Sequence, residues 1–208
     1  MIERTESAIH LILALALTGL AAALALRRRD RSSAMLSLFF GSYALGDLYW
    51  LLYLLFYDST PRIFYVSDLS WYAAYLYLYL LLQCLSTPGE RRARYPAVLL
   101  APAFAVGMCA FYMHWGDYVG NVIAAVLMSL LMAHALRGLI YLRTHPEERS
   151  RRALYIVTLA FCLCEYGDWT ASCFWMGDTW ANPYFWSDLL MAASLACFLP
   201  AYRRAVGA

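Results

Sequence analysis

The chain contains no lysine: all sixteen of its basic residues are arginine. A membrane protein without an amine nucleophile cannot form the Schiff base that holds retinal, so a conventional rhodopsin is excluded. Charge is scarce altogether, at 14% of residues against 63% hydrophobic, a balance far too apolar for an ordinary soluble domain. The six cysteines, Cys84, Cys109, Cys162, Cys164, Cys173 and Cys197, form no CxxC pair and no His/Cys zinc spacing. They read as small buried hydrophobes, and no metal is expected. A phosphate loop, an HExxH helix, a serine elbow and a nucleotide fingerprint are all lacking, so no cofactor is expected and no reaction is named.

What is present is apolar sequence in membrane-length pieces. Seven spanning helices are expected at about 8–26, 34–57, 65–86, 96–115, 118–142, 153–176 and 184–202, each near the roughly 20 residues that a bilayer core requires. The first has acidic Glu3 and Glu6 before it and Arg27, Arg28, Arg29 and Arg31 after it, the reverse of a signal peptide, so it is expected to be retained. Arg27–Arg31, Arg91–Arg94, Arg143–Arg152 and Arg203–Arg204 fall on one side of this layout, with only Arg4 and Arg62 opposite. The positive-inside rule then places the N terminus outside and the C terminus in the cytoplasm. The net charge of +2 follows from this topology and gives no reason to invoke nucleic acid; the basic loops would face the anionic leaflet. Turn formers mark short outer loops at Asp58-Ser59-Thr60-Pro61, Gly177-Asp178-Thr179 and Asn182-Pro183.

Within this apolar background one pattern occurs twice. Gly46-Asp47 is followed by Ser67-Asp68, and Gly167-Asp168 by Ser187-Asp188. This is read as an internal repeat: copies at about 8–87 and 118–204 joined by a linker helix at 96–115, a 3+1+3 arrangement running twice in the same direction. Parallel repeats are related by an axis along the membrane normal, and their site commonly lies where the halves meet. Asp47 and Asp168 lie well inside their helices, where a charge costs roughly 2.5–3.5 kcal/mol on insertion scales and is retained mainly for function. Glu165 shares a helical face with Asp168. Asp68 and Asp188 stand in the first turns of their helices, where the helix N terminus itself favours an anion. All five acids fall in the middle or outer half of the membrane, and the cytoplasmic half is expected to be poorer in polar groups.

Aromatic residues accompany the acids. Tyr49, Trp50 and Tyr53 follow Asp47, while Tyr72, Tyr75 and Tyr79 form one stripe along the third helix with Trp71 beside it. Carboxylates supply charge and aromatic faces add about 0.5–2 kcal/mol of cation–π attraction each, a surface suited to an organic amine or ammonium. Paired carboxylates can instead share a proton and act as acid and base. His134, beside Arg137, reads as structural.

Gly46-Asp47-Leu48-Tyr49-Trp50 with Ser67-Asp68-Leu69-Ser70-Trp71-Tyr72 and Tyr75 resembles the seven-helix sensory domains that precede cyclase or kinase modules in bacterial signalling proteins; Gly167-Asp168 and Ser187-Asp188 resemble their second half. This resemblance implies a membrane sensor, but no output domain is expected after Arg204, so such a sensor would need a signalling partner protein. The Gly-Asp and Ser-Asp pairs also resemble the lysoplasmalogenase-like membrane family, which implies vinyl-ether hydrolysis of a lysolipid with Asp47 and Asp168 as acid and base. The chain departs from that family in lacking a histidine after the first Gly-Asp and in having seven helices for its eight.

The expectation is an all-α, multi-pass protein of the cell membrane that binds a small cationic or lipid-like molecule, as sensor or transporter. Asp47, Asp68, Asp168 and Asp188 would line an outward-opening cavity between the repeats, with Glu165, Trp50, Tyr72, Tyr75 and Tyr79. The alternatives are the hydrolase and an accessory subunit whose acids pair with a partner's arginines.

Overall fold

The structure, a computed structural model, describes residues 2–57, 65–175 and 177–207. The turn expected at Asp58 to Pro61, Arg62, and Met176 at the expected end of the sixth span lie outside them. Among the described residues there are eight α-helices and no strand: α1 Ile2–Arg28, α2 Arg31–Tyr57, α3 Tyr65–Leu85, α4 Pro88–Arg92, α5 Leu100–Tyr112, α6 Tyr118–Thr144, α7 Arg152–Phe174 and α8 Pro183–Ala205. The short α4 had no counterpart in the sequence reading. The stretch expected as one helix over 96–115 is α-helical only in its middle, with 3₁₀ turns at Pro96–Leu99 and Met113–Trp115.

Among the described residues, five segments are long and apolar enough to cross a membrane: α1, α2, Pro96–Trp115, α6 and α8. α3 and α7 have 21 and 23 residues, so length does not separate them from the rest. Composition does, because α3 carries Asp68, Gln83 and its tyrosines, and α7 carries Glu165 and Asp168. On α1 the buried apolar positions are Leu11, Ala14, Leu17 and Ala21, while Ile9, Ile12, Leu15 and Leu20 face outward. A soluble monomer rarely exposes large apolar patches, and an exterior of this kind is compatible with lipid contact.

Helix ends follow from local chemistry. Arg29 adopts a left-handed conformation (φ 53°) that closes α1, and Asp30 then caps α2: its Oδ1 accepts from the Ser33 amide at 2.8 Å and from the Ser32 hydroxyl at 2.7 Å. Asn182 caps α8 by accepting from the Tyr184 amide, with Pro183 at the first helical position. Burial works to raise the Asp30 carboxyl, but the hydrogen bonds from Ser32, Ser33 and Arg28 outweigh it and hold the group at about 2. A carboxyl depressed from its ordinary value near 3.9 contributes stability that is present above that value and lost as the pH falls through about 2. Thermal unfolding in detergent between pH 5 and about 2 is therefore expected to show wild type losing stability relative to Asp30→Asn; parallel curves would remove the cap from the acid response.

The helices close into a ring. α1 packs on α2, α2 on α3, α3 on α6, α6 on α7, α7 on α8, and α8 returns to α1. α5 lies against α6 and docks on α7, where the Tyr112 hydroxyl donates to the Tyr166 carbonyl at 3.0 Å and meets Thr170 Oγ1 at 2.8 Å. Inside the ring, the fully buried Phe39, Phe161 and Phe198 from α2, α7 and α8 make mutual edge contacts with centroids 5.1–6.0 Å apart. This aromatic layer lies one to two turns from the central acids, on their arginine-rich side.

Candidate functional site

Three acids gather inside the ring, from α2 and α7. Asp47 is buried, and the Trp71 indole N–H of α3 donates to its Oδ1 at 3.2 Å. The approach requires glycine at the preceding position: a Cβ on Gly46 would lie 2.5, 2.7 and 2.9 Å from three atoms of that indole. Trp50 backs Trp71 at a centroid separation of 6.0 Å. Gly167, the matching glycine of the second motif, has open space around it. Gly46→Ala is therefore expected to push Trp71 off Asp47 and cost about 1–3 kcal/mol, whereas Gly167→Ala is expected to be neutral or slightly stabilising. Thermal unfolding of the two variants checks this, and equal effects would show that the motifs pack alike.

Glu165 is 2% exposed. The Tyr43 hydroxyl of α2 donates to its Oε1 at 3.2 Å, Tyr75 of α3 is within hydrogen-bonding reach, and α8 contributes Met191 Sδ 3.3 Å from the Tyr43 hydroxyl. Glu165 is in electrostatic range of both Asp47 and Asp168. Ser187 lies within reach of the Asp168 carboxylate. Asp47 Oδ2 and Asp168 Oδ1 are buried with no hydrogen-bond partner. Among the described residues, none of the three acids takes part in an ion pair.

The other two expected site acids are elsewhere. Asp68, in the first turn of α3, is only partly buried and interacts with Asp117, the N-cap of α6, and with Tyr72. Asp188 lies beyond the first turn of α8, which Asn182 caps, so the capping role expected for Asp188 fails. Its partners are on α1: His10 Nε2 lies 2.8 Å from the Asp188 carbonyl and 3.5 Å from its Oδ2, and Glu6, His10 and Asp188 present donor atoms all within 4.8 Å of one another. The tyrosine stripe is accordingly divided among three sites. Tyr72 turns to Asp68, Tyr75 to Glu165, and Tyr79 to Gln83 and His134, its hydroxyl accepting from Gln83 Nε2 at 2.8 Å.

A further polar network, not foreseen from the sequence, lies at one end of the bundle. At the arginine-rich end, Ser86 Oγ meets His134 Nε2 at 2.6 Å, and Tyr155 donates to Glu90 Oε1 at 2.5 Å. Arg151 Nη2 lies 3.1 Å from Glu90 Oε2, with Glu148 also on the guanidinium and Nη1 donating to the Leu85 carbonyl at 2.7 Å. Glu90 is 0% exposed. Arg151 reads in the sequence as part of a solvated basic loop and Glu90 carries no signal there, because loops are ordinarily solvated; here both side chains are buried.

Sequence reasoning also missed Tyr43, Glu6 and His10 as partners. Glu6 and His10 are four apart on one helical face, a signal that was available; nothing local marks Tyr43, whose role depends on α7. Comparison with protein-family models, curated proteins and solved structures finds no match to this chain. Its chemistry is therefore argued from geometry: buried carboxylates held by hydroxyl and indole donors, without an arginine, need a proton or a bound cation to offset the cost of their burial.

Proposed function

We propose that the chain is a multi-pass protein of the cell membrane, with seven crossing helices and an external N terminus, that binds a small organic cation among Asp47, Glu165 and Asp168. The observation that carries this reading is the convergence of three buried, arginine-free carboxylates from α2 and α7 inside the ring. Tyr43, Tyr75, Trp71 and Trp50 supply hydroxyl donors and aromatic faces beside them, the combination that favours an amine or ammonium over a bare metal ion. α3 and α7 complete the seven spans on this reading, their acids and tyrosines turned to the interior, where polar groups at membrane depth belong.

The ring order supports the 3+1+3 repeat. α3 meets α6 just as α8 meets α1, and each of these seams holds one of the two Ser-Asp acids. The aromatic layer of Phe39, Phe161 and Phe198 closes the arginine-rich side, so access comes from the other face. A sensor would pass occupancy to a partner protein; a transporter would have to part that layer by rocking one half against the other.

The test is thermal stability of purified protein in detergent against amines, lysolipids and metabolites, since a ligand that binds only the folded state raises its apparent stability, by about 2.7 kcal/mol at 100 times Kd. Amines are expected to stabilise wild type and to lose that effect in Asp47→Asn, Glu165→Gln and Asp168→Asn. An amine effect that survives all three substitutions together would refute the site. Aldehyde release from an alkenyl lysolipid, abolished by Asp47→Asn, would replace binding with the hydrolase reading.

A further inference from the structure

Glu6, His10 and Asp188 form a second buried polar cluster, at the seam where α8 returns to α1. They are 5%, 4% and 6% exposed. Two donors come from successive turns of α1 and the third from a residue 178 positions away from His10, so the cluster exists only in the folded ring. The decisive feature is Glu6 Oε1, which is buried without any hydrogen-bond partner. Glutamate is flexible, and this one lies near the start of its helix, yet its Oε1 is shut off from water and its carboxylate lies within reach of the two other donors.

We propose that these residues are a binding site for a divalent transition-metal ion, for which Zn²⁺ and Co²⁺ are the probes. The donor set decides the class of ion. Ca²⁺ takes six to eight oxygens and Mg²⁺ holds several waters around one or two carboxylates, whereas an imidazole with carboxylates suits Zn²⁺ and its neighbours. Bonds of roughly 2.0–2.2 Å in a tetrahedral site place ligand atoms roughly 3.4 Å apart. His10 Nε2 and Asp188 Oδ2 are already 3.5 Å apart and the whole set falls within 4.8 Å; an ion would displace the Nε2 proton that the Asp188 carbonyl now accepts at 2.8 Å, and a turn of the Glu6 side chain would complete the set. Three protein ligands leave a fourth position open to water or to an incoming donor. The bound ion would tie the first helix to the last and place a fixed positive charge at the ring's rim. Nothing in this assignment depends on what the central acids bind.

Metal content after dialysis against buffered free Zn²⁺, and the absorption of the Co²⁺ form, test it without any organic ligand. One ion per chain is expected, with Co²⁺ bands in the visible and no thiolate charge-transfer band, which distinguishes this site from the six cysteines. His10→Ala and Asp188→Asn should weaken binding by more than the roughly 10–100-fold that loss of an outer-shell partner costs, and Zn²⁺ should raise the apparent Tm of wild type but not of His10→Ala. Wild type that retains no metal, a thiolate spectrum, or undiminished binding by a folded Glu6→Gln/His10→Gln double variant would overturn the proposal. If the variants do not fold, X-ray absorption of the Zn²⁺-loaded wild type decides it: nitrogen and oxygen neighbours with an imidazole support the site, and sulfur neighbours refute it.

Discussion

Arg151→Met is expected to cost the folded protein about 3–5 kcal/mol, the range for removing one partner of a buried ion pair. Two facts put this pair in that class. The Glu90 and Arg151 side chains are 1% and 9% exposed, so water cannot take over either charge. Arg151 also bonds the Leu85 carbonyl at the end of α3, so its loss leaves a helix terminus and a carboxylate unsatisfied together. Tyr155 and Ser86 still donate to Glu90 Oε1, but neutral donors do not balance a charge. The double variant Glu90→Gln/Arg151→Met should cost less than the sum of its parts, because it removes both charges at once. Unfolding free energies for the cycle check this. A single-variant cost below about 1 kcal/mol, as for an exposed pair, would mean that water reaches Glu90.

The second large effect is expected at Gly138. A methyl group there would overlap the ring of Tyr155, which is 0% exposed, hydrogen-bonded to Glu90 and packed at 6.3 Å against the His134 ring. The tyrosine cannot withdraw without releasing Glu90 or disturbing His134. Gly138→Ala should therefore destabilise by at least the 1–3 kcal/mol typical of overpacking, against the helix-propensity gain of up to about 1 kcal/mol that the same exchange brings in the open. Gly107 of α5 has nothing within 4 Å of its missing Cβ and serves as the control, where Gly107→Ala should be neutral or stabilising. Unfolding of both variants, with Gly138→Ala/Tyr155→Leu as a third, separates the mechanisms: relief of strain in the double variant is expected, and none would place the cost outside this contact.

What could be read from the chain divides by range. The positions of the long helices were legible because apolar runs, prolines and turn residues act locally, and the segments expected near 118 and 184 begin within a residue of α6 and α8. That Asp47, Asp168 and Glu165 turn inward was legible too, since a membrane leaves few other places for a charge. Their grouping was not. The five acids looked alike in sequence, yet the ring sorts them into a centre and two seams, because which face of α3 meets α6, and which of α8 meets α1, depends on packing between segments distant in the chain. For the same reason Gly46 and Gly167 carry the same motif while only Gly46 is pressed against an indole. Arg151 was expected in a solvated loop and Glu90 was not singled out, since burial of a loop is a property of the assembled bundle.

The return of α8 to α1 also bears on how the protein is made. The ring cannot be completed until the last helix has left the ribosome, so the first helix waits through the synthesis of all the others with Glu6 and His10 uncovered. A chain stalled or truncated before Pro183 would keep the polar edge of α1 exposed, a mark by which quality-control proteases could distinguish an unfinished molecule from a closed one.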